Sequence, residues 1–217
     1  MFNFRRYLVA PLALTLALPT ATPVMPRAVM SRAELHDAMR HLWVQHVEWT
    51  RMYIISAAAA SPDKDATTQR LLQNQTDIGN AVAMYYGKAA GDKTTGLLKD
   101  HILIAAALVD AAKAGDKAKT DSINKKWRSN AEEIAAFLHG ANPKHWPEET
   151  LKSLLFKHLD QTLDEATHRL QGNYAAAVKD YDAIEQHAIV MADALSGGII
   201  AQFPEKFRGA KSKMASR

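Results

Sequence analysis

Apolar residues recur at intervals of three and four along most of the chain, which is typical of helices that bury one face. No stretch combines strict apolar–polar alternation with the β-branched residues that strands favour. We therefore predict an all-α protein, an antiparallel helical bundle of about five to six helices joined by short connections. The helices are predicted at about residues 31–60, 66–86, 92–114, 117–139, 147–170 and 174–195.

Local signals predict where several helices begin and end. Ser31 and Glu34 have the pattern of a capping box, in which the two side chains satisfy free backbone amides at a helix start. Weak helix formers in the middle of the second helix predict a break near 74–77. Gly197 and Gly198 predict an end or a kink in the sixth helix.

The chain divides into three regions. Residues 1–28 have the layout of a signal peptide, with Arg5 and Arg6 before an apolar run that is shorter than the ~20 residues of a membrane span. Residues 29–204 form the predicted bundle domain, and residues 205–217 are a basic tail that we expect to be disordered. The chain is therefore predicted to be exported, to the periplasm or outside the cell, and not to be an integral membrane protein. A signal peptide that stays uncleaved as an anchor is the alternative.

The formal net charge of +4 does not describe the body of the protein. Of the 27 basic residues, three lie in the signal peptide and five between Lys206 and Arg217, which leaves 19 basic against 23 acidic residues in the part of the chain between them. This mildly acidic body argues against nucleic acid as a partner. Cysteine is absent, so thiolate ligands are excluded and a metal site would need nitrogen and oxygen donors.

Four of the predicted helices each carry one histidine in the middle of an apolar stripe. In the first helix His46 shares a face with Trp43, and that face is too apolar to lie in water. Bundles build metal sites from side chains on facing helices, and neutral imidazole binds zinc, copper, iron and nickel. The sequence thus predicts a transition-metal site with the ligands His46, His101, His158, His187 and Glu165. The predicted supporting residues are Trp49, Tyr53, Asn130 and Thr162.

The same histidines also fit a non-catalytic structural or interaction protein of the cell envelope, which would contact an envelope partner or a second copy of the chain. In that interpretation each imidazole hydrogen-bonds a neighbour and sets the register of the helices. Gly-x-Ser-x-Gly and His-Glu-x-x-His are absent, and di-iron bundles need two Glu-x-x-His motifs where this chain has only Glu165-Ala-Thr-His168. An enzyme is the least favoured interpretation.

Three stretches, residues 42–51, 180–184 and 202–207, resemble an uncharacterised family of exported bacterial all-helical proteins. The similarity covers about residues 35–207, and it implies a helical fold and export without implying any catalytic or binding residue. Relatives sometimes carry a glycosyltransferase label. The matching Asp180-Tyr-Asp182 lies inside a predicted helix, whereas those enzymes place Asp-x-Asp at a strand end of an α/β fold, so the label is not supported.

Overall fold

A computed structural model describes residues 30–208. Within this range the chain forms six α-helices and one 3₁₀ helix and contains no β-strand, so the predicted all-α bundle is confirmed. The signal peptide predicted for residues 1–28 and most of the predicted tail lie outside the described residues. The helices are α1 (Arg32–Ala59), α2 (Lys64–Tyr86), α3 (Lys88–Lys113), α4 (Lys117–Ala141), α5 (Glu148–Leu170) and α6 (Tyr174–Gln202), followed by the 3₁₀ helix Pro204–Phe207.

The six helices close into a ring in which neighbours in sequence are also neighbours in space. α1 packs against α2 and α6, α3 packs against α2 and α4, and α5 packs against α4 and α6. Short connections reverse the chain direction from one helix to the next. α1, α3 and α5 also contact one another across the interior, and these three helices carry His46, His101 and His158. The ring topology therefore brings three histidine-bearing helices together at its centre.

Apolar side chains from every helix fill the core. The main cluster runs from Leu35 in α1 to Ile199 in α6 and includes the buried indoles of Trp43, Trp127 and Trp146. A smaller cluster around Tyr53 completes the core. Between residues 30 and 208 no helix is long and apolar enough to cross a membrane.

The start of α1 is capped as its local sequence predicts. The Ser31 hydroxyl accepts a hydrogen bond from the backbone N–H of Glu34 at 3.2 Å, and the Ser31 backbone N–H donates to Oε2 of Glu34 at 2.6 Å. These two bonds form a complete capping box. The pattern spans four residues, which is why the sequence alone was sufficient to locate it.

The predicted break near 74–77 is wrong, because α2 is continuous from Lys64 to Tyr86. Asn74 is fully buried, and its Nδ2 donates to the carbonyl oxygen of Leu42 in α1 at 3.0 Å. Gly79 faces α3 so closely that an added Cβ would lie 1.9 Å from Oγ1 of Thr95. The weak helix formers in α2 therefore serve contacts with the neighbouring helices, and those contacts offset their low helix propensity.

The predicted helix end at Gly197 and Gly198 is also wrong, because α6 continues to Gln202, while the alternative of a kink stays a prediction. A Cβ on Gly198 would lie 2.0 Å from Nε1 of Trp146, so this glycine makes room for an indole from the loop before α5. After α6 the 3₁₀ helix buries Phe207, whose ring stacks on Tyr85 at 5.8 Å. The packed body therefore extends beyond residue 204, the predicted boundary of the domain.

Candidate functional site

Three imidazoles from three helices form a layer across the centre of the bundle. The ring centroids of His46 and His158 are 5.5 Å apart, and those of His101 and His158 are 6.3 Å apart with their planes inclined by 24°. All three side chains are buried, with at most 3% of their surface exposed. His158 is the middle member of this histidine layer, since its ring is adjacent to both of the others.

A small apolar cavity lies on each side of the histidine layer. One measures about 40 Å³ and is lined by residues that include Trp43, Leu97 and Leu155. The other measures about 30 Å³, and its lining includes Ile102 and Thr162. The walls of both cavities are almost entirely apolar, so each ring depends on the few polar groups that reach the layer.

Both nitrogens of His101 have partners. Nδ1 donates to Oδ1 of Asn130 at 2.8 Å, while Nε2 accepts from Nε1 of Trp127 at 3.1 Å. The orientation of the amide follows from its other end, because Nδ2 of Asn130 donates to the carbonyl oxygen of Leu97 at 3.1 Å. The ring proton of His101 therefore lies on Nδ1, and its lone pair is engaged by the indole.

His46 is held by an amide from α2. Nε2 of Gln75 donates to Nδ1 of His46 at 3.2 Å, and the same nitrogen lies 2.9 Å from the carbonyl oxygen of Leu71. The carbonyl of Leu71 fixes the amide with its nitrogen towards the ring, so the proton of the neutral imidazole lies on Nε2. As in His101, the lone pair of His46 is engaged by a neutral N–H donor.

His158 differs from the other two histidines. Its Nδ1 is buried and has no hydrogen-bond partner. Nε1 of Trp43 and Oε1 of Gln75 are likewise buried without partners, and both residues lie next to His46. Leaving a buried polar atom unpaired costs roughly 1–3 kcal/mol, so these atoms are local sources of instability in the layer.

Burial keeps the three imidazoles in their neutral form. It lowers the pKa of His46 to about 3, with the nearby His101 acting in the same direction. It lowers the pKa of His101 to about 4, although the hydrogen bond that the ring donates to Asn130 acts in the opposite direction. The pKa of His158 falls well below its ordinary value through burial and the proximity of the other histidines. Near neutral pH the layer thus contains neutral imidazoles, the form that binds metal ions.

The two remaining predicted ligands have other partners. His187 in α6 is buried, and its Nε2 donates to the carbonyl oxygen of Leu154 at 2.8 Å. Glu165 is paired with Arg51, whose guanidinium also donates to the carbonyl oxygen of Ala177 at 3.1 Å. Burial raises the pKa of Glu165 to about 7 despite this cation. The structure brings together three of the five predicted ligands, and it places Glu165 in a separate ion pair.

Of the four predicted supporting residues, Asn130 contacts an imidazole side chain. The ring of Trp49 lies under the guanidinium of Arg70, at 5.2 Å. The hydroxyl of Tyr53 donates to the carbonyl oxygen of Ala106 at 3.4 Å, and the hydroxyl of Thr162 donates to a backbone carbonyl of its own helix. The side chains of Trp49, Tyr53 and Thr162 therefore make these contacts with groups other than the imidazole rings.

Sequence reasoning missed Gln75, although the signal was present. Leu71, Gln75 and Ile78 follow the spacing of four and three on one face of α2. A polar residue in such a stripe is the same signal that identified the histidines. The stripe can be recognised only on a continuous helix, and the break predicted near 74–77 interrupts the helix at Gln75.

In residues 30–208, no three side chains of His, Asp or Glu converge in a group that could hold a metal ion. The histidine layer as it stands is a set of neighbouring neutral imidazoles. The lone pairs of His46 and His101 are engaged by different partners, whereas Nδ1 of His158 has none. Comparison of the chain with protein-family models, curated proteins and solved structures finds no significant match.

Proposed function

We propose that the protein binds one divalent transition-metal ion between α1, α3 and α5, with His158 as the first ligand and His46 and His101 as the ligands that join it. The observation that carries this proposal is the unpartnered Nδ1 of His158, a buried neutral imidazole between two others. His158 coordinates through Nδ1 without losing any hydrogen bond.

The other two imidazoles must exchange partners to bind the ion. His46 gives up the amide of Gln75, and His101 gives up the indole of Trp127. A neutral hydrogen bond contributes about 1 kcal/mol, so the bound ion must contribute more than the roughly 2 kcal/mol that the two lost bonds represent. With cysteine absent, an imidazole site suits zinc, copper, nickel or iron.

We also propose that the protein works outside the cytoplasm. The basic pair Arg5 and Arg6, followed by a short apolar run, supports export through a signal peptide. The family resemblance of residues 35–207 points the same way. A metal-binding bundle without thiols keeps its ligands in an oxidising compartment, because imidazole does not form disulfides.

A second candidate is a structural or interaction protein of the envelope in which the histidines only hold the helices in register. His101 favours this interpretation, since both of its nitrogens are already satisfied by Asn130 and Trp127. The two candidates differ in what His158 does, because a packing role gives no reason for its unpaired nitrogen.

Metal analysis of protein purified without a histidine tag tests the proposal. After loading with Zn, Cu, Ni or Fe and dialysis, we expect one ion per chain and a higher melting temperature. His158→Leu should bind no ion and show no metal-dependent rise in melting temperature. The variant should still fold without metal, because the substitution removes a buried atom that has no hydrogen-bond partner. The matched control is His41→Leu, an exposed histidine of α1. Substoichiometric metal with no change in melting temperature would contradict the proposal and favour the packing role.

A further inference from the structure

The amide of Gln75 has too many partners at its nitrogen and none at its oxygen. Nε2 lies within hydrogen-bond distance of three acceptors, the carbonyl oxygen of Leu71 at 2.9 Å, Oδ1 of Asn74 at 3.2 Å and Nδ1 of His46 at 3.2 Å. An amide nitrogen has two hydrogens, so it cannot serve three acceptors equally. Oε1 is buried without a donor, in a side chain with 0% of its surface exposed.

Rotating the amide does not resolve this imbalance. The rotation would place Oε1 where Nε2 now stands, against the carbonyl oxygen of Leu71 and Oδ1 of Asn74. Asn74 cannot turn to compensate, because its Nδ2 is bonded to the carbonyl oxygen of Leu42. The oxygen of Gln75 therefore keeps its present direction, and its missing partner must come from outside the described side chains.

The other unpaired atoms near the same ring indicate the chemistry of that partner. Oε1 of Gln75 offers electron pairs, and so does Nδ1 of His158 in the tautomer that carries the ring proton on Nε2. A divalent cation satisfies both. Nε1 of Trp43 is a donor, and its ring lies 5.6 Å from that of His46. A water molecule on the cation would accept its hydrogen bond.

We infer that Gln75 is an oxygen ligand of the metal ion, through Oε1, and that the ligand set is formed by imidazoles and one amide. The inference rests on the proposed function of the histidine layer. An amide oxygen together with imidazoles favours borderline divalent ions such as Zn(II), Ni(II) and Co(II) over Cu(I), which prefers sulfur ligands. Gln75 thereby contributes to metal selectivity as well as affinity.

Titration of the full chain with Co(II) and Zn(II) tests the role of Gln75. Gln75→Met keeps the length of the side chain and removes the amide, and Gln75→Glu replaces the amide oxygen with a carboxylate. The matched control is Gln73→Met, an exposed glutamine of the same helix. Circular dichroism of each variant, with and without metal, verifies that the bundle is folded.

We expect Gln75→Met to weaken binding at least tenfold and to shift the d–d absorption bands of bound Co(II), because a ligand is lost. Gln75→Glu should restore tight binding at neutral pH, with an affinity that falls on acidification as the carboxylate protonates. Gln73→Met should behave as wild type.

One result would exclude Gln75 as a ligand, and another would exclude the metal site itself. Wild-type affinity and an unchanged Co(II) spectrum in Gln75→Met would exclude Gln75 as a ligand and leave the histidine site standing. A wild-type chain that binds neither ion would contradict the proposed function itself. In that case the unpaired oxygen of Gln75 belongs to an ordered water only.

Discussion

The indole of Trp127 donates a hydrogen bond to Nε2 of His101, at 3.1 Å, in the buried layer between α3 and α4. This bond decides the chemistry of His101, because it engages the lone pair that a metal ion would need. The same contact therefore stabilises the metal-free protein and opposes metal binding.

Trp127→Phe is expected to change stability and metal affinity in opposite directions. Without metal the variant should lose roughly 2 kcal/mol or more, since Nε2 of His101 is left unpaired and apolar contact is lost. Its zinc affinity should rise about fivefold, because a bond of about 1 kcal/mol no longer has to be broken. Urea unfolding without metal and competitive zinc titration measure the two effects. Trp49→Phe is the control, and a loss of zinc affinity in Trp127→Phe would contradict the ligand role of His101.

The pKa shifts predict unfolding in acid. His46 and His101 have lowered pKa values in the folded protein, so the unfolded chain binds protons more readily. Their contribution to the free energy of unfolding is therefore complete above pH 6.5 and is lost as the pH falls through 4 and 3. Together they lose on the order of 8 kcal/mol over this window. Glu165 affects stability in the opposite direction, because its pKa is raised. Protonation of this residue increases the free energy of unfolding by roughly 3 kcal/mol as the pH falls from 7 to 4.5. The loss of stability at the two histidines is larger than the gain at Glu165, so acidification destabilises the protein.

We therefore expect the free energy of unfolding to fall steadily below pH 6.5, with unfolding between about pH 5 and 3, because a domain has only about 5–15 kcal/mol in total. Urea unfolding at a series of pH values, without metal, measures the slope. Stability that stays constant from pH 7 to pH 4 would mean that the imidazoles are hydrated in the folded protein.

Removing the partner of Glu165 should have a cost that depends on pH. Arg51→Ala leaves a buried carboxylate unpaired, which costs roughly 3–5 kcal/mol at pH 8. At pH 5.5 the cost should be smaller, because the carboxyl group, with its raised pKa, is then protonated and neutral. The control is Arg40→Ala, which breaks a solvent-exposed pair with Asp193 and should change stability much less than Arg51→Ala does at pH 8. Equal costs for Arg51→Ala at both pH values would show that Glu165 does not titrate in this range.

Two adjacent glycines in α6 are expected to respond oppositely to alanine. Gly198→Ala places a Cβ 2.0 Å from Nε1 of the buried Trp146 and should cost about 1–3 kcal/mol through overpacking. At Gly197 a Cβ would meet nothing within 4 Å, so Gly197→Ala should gain about 1 kcal/mol from helix propensity. Thermal unfolding of the two variants is sufficient to compare them. Similar effects at both positions would show that Trp146 does not pack against α6.

The sequence by itself determined the features that depend on residues within a turn or two of each other. The capping box of Ser31 and Glu34 spans one turn, and the burial of His46, His101 and His158 follows from the three-four spacing of their apolar neighbours. Each of these signals lies within one helix, so it can be recognised without knowing what packs against that helix.

Only the tertiary structure decided which partner each buried group meets. Gln75 reaches His46 from α2, Trp127 reaches His101 from α4, and Gly198 receives Trp146 from the loop before α5. These pairs depend on how far each helix is rotated and shifted against its neighbours. Rotation and shift are set by the packing of the whole core, to which all six helices contribute at once. For that reason the sequence identifies the histidines as buried, whereas the fold determines which of their lone pairs are engaged and which one is left open.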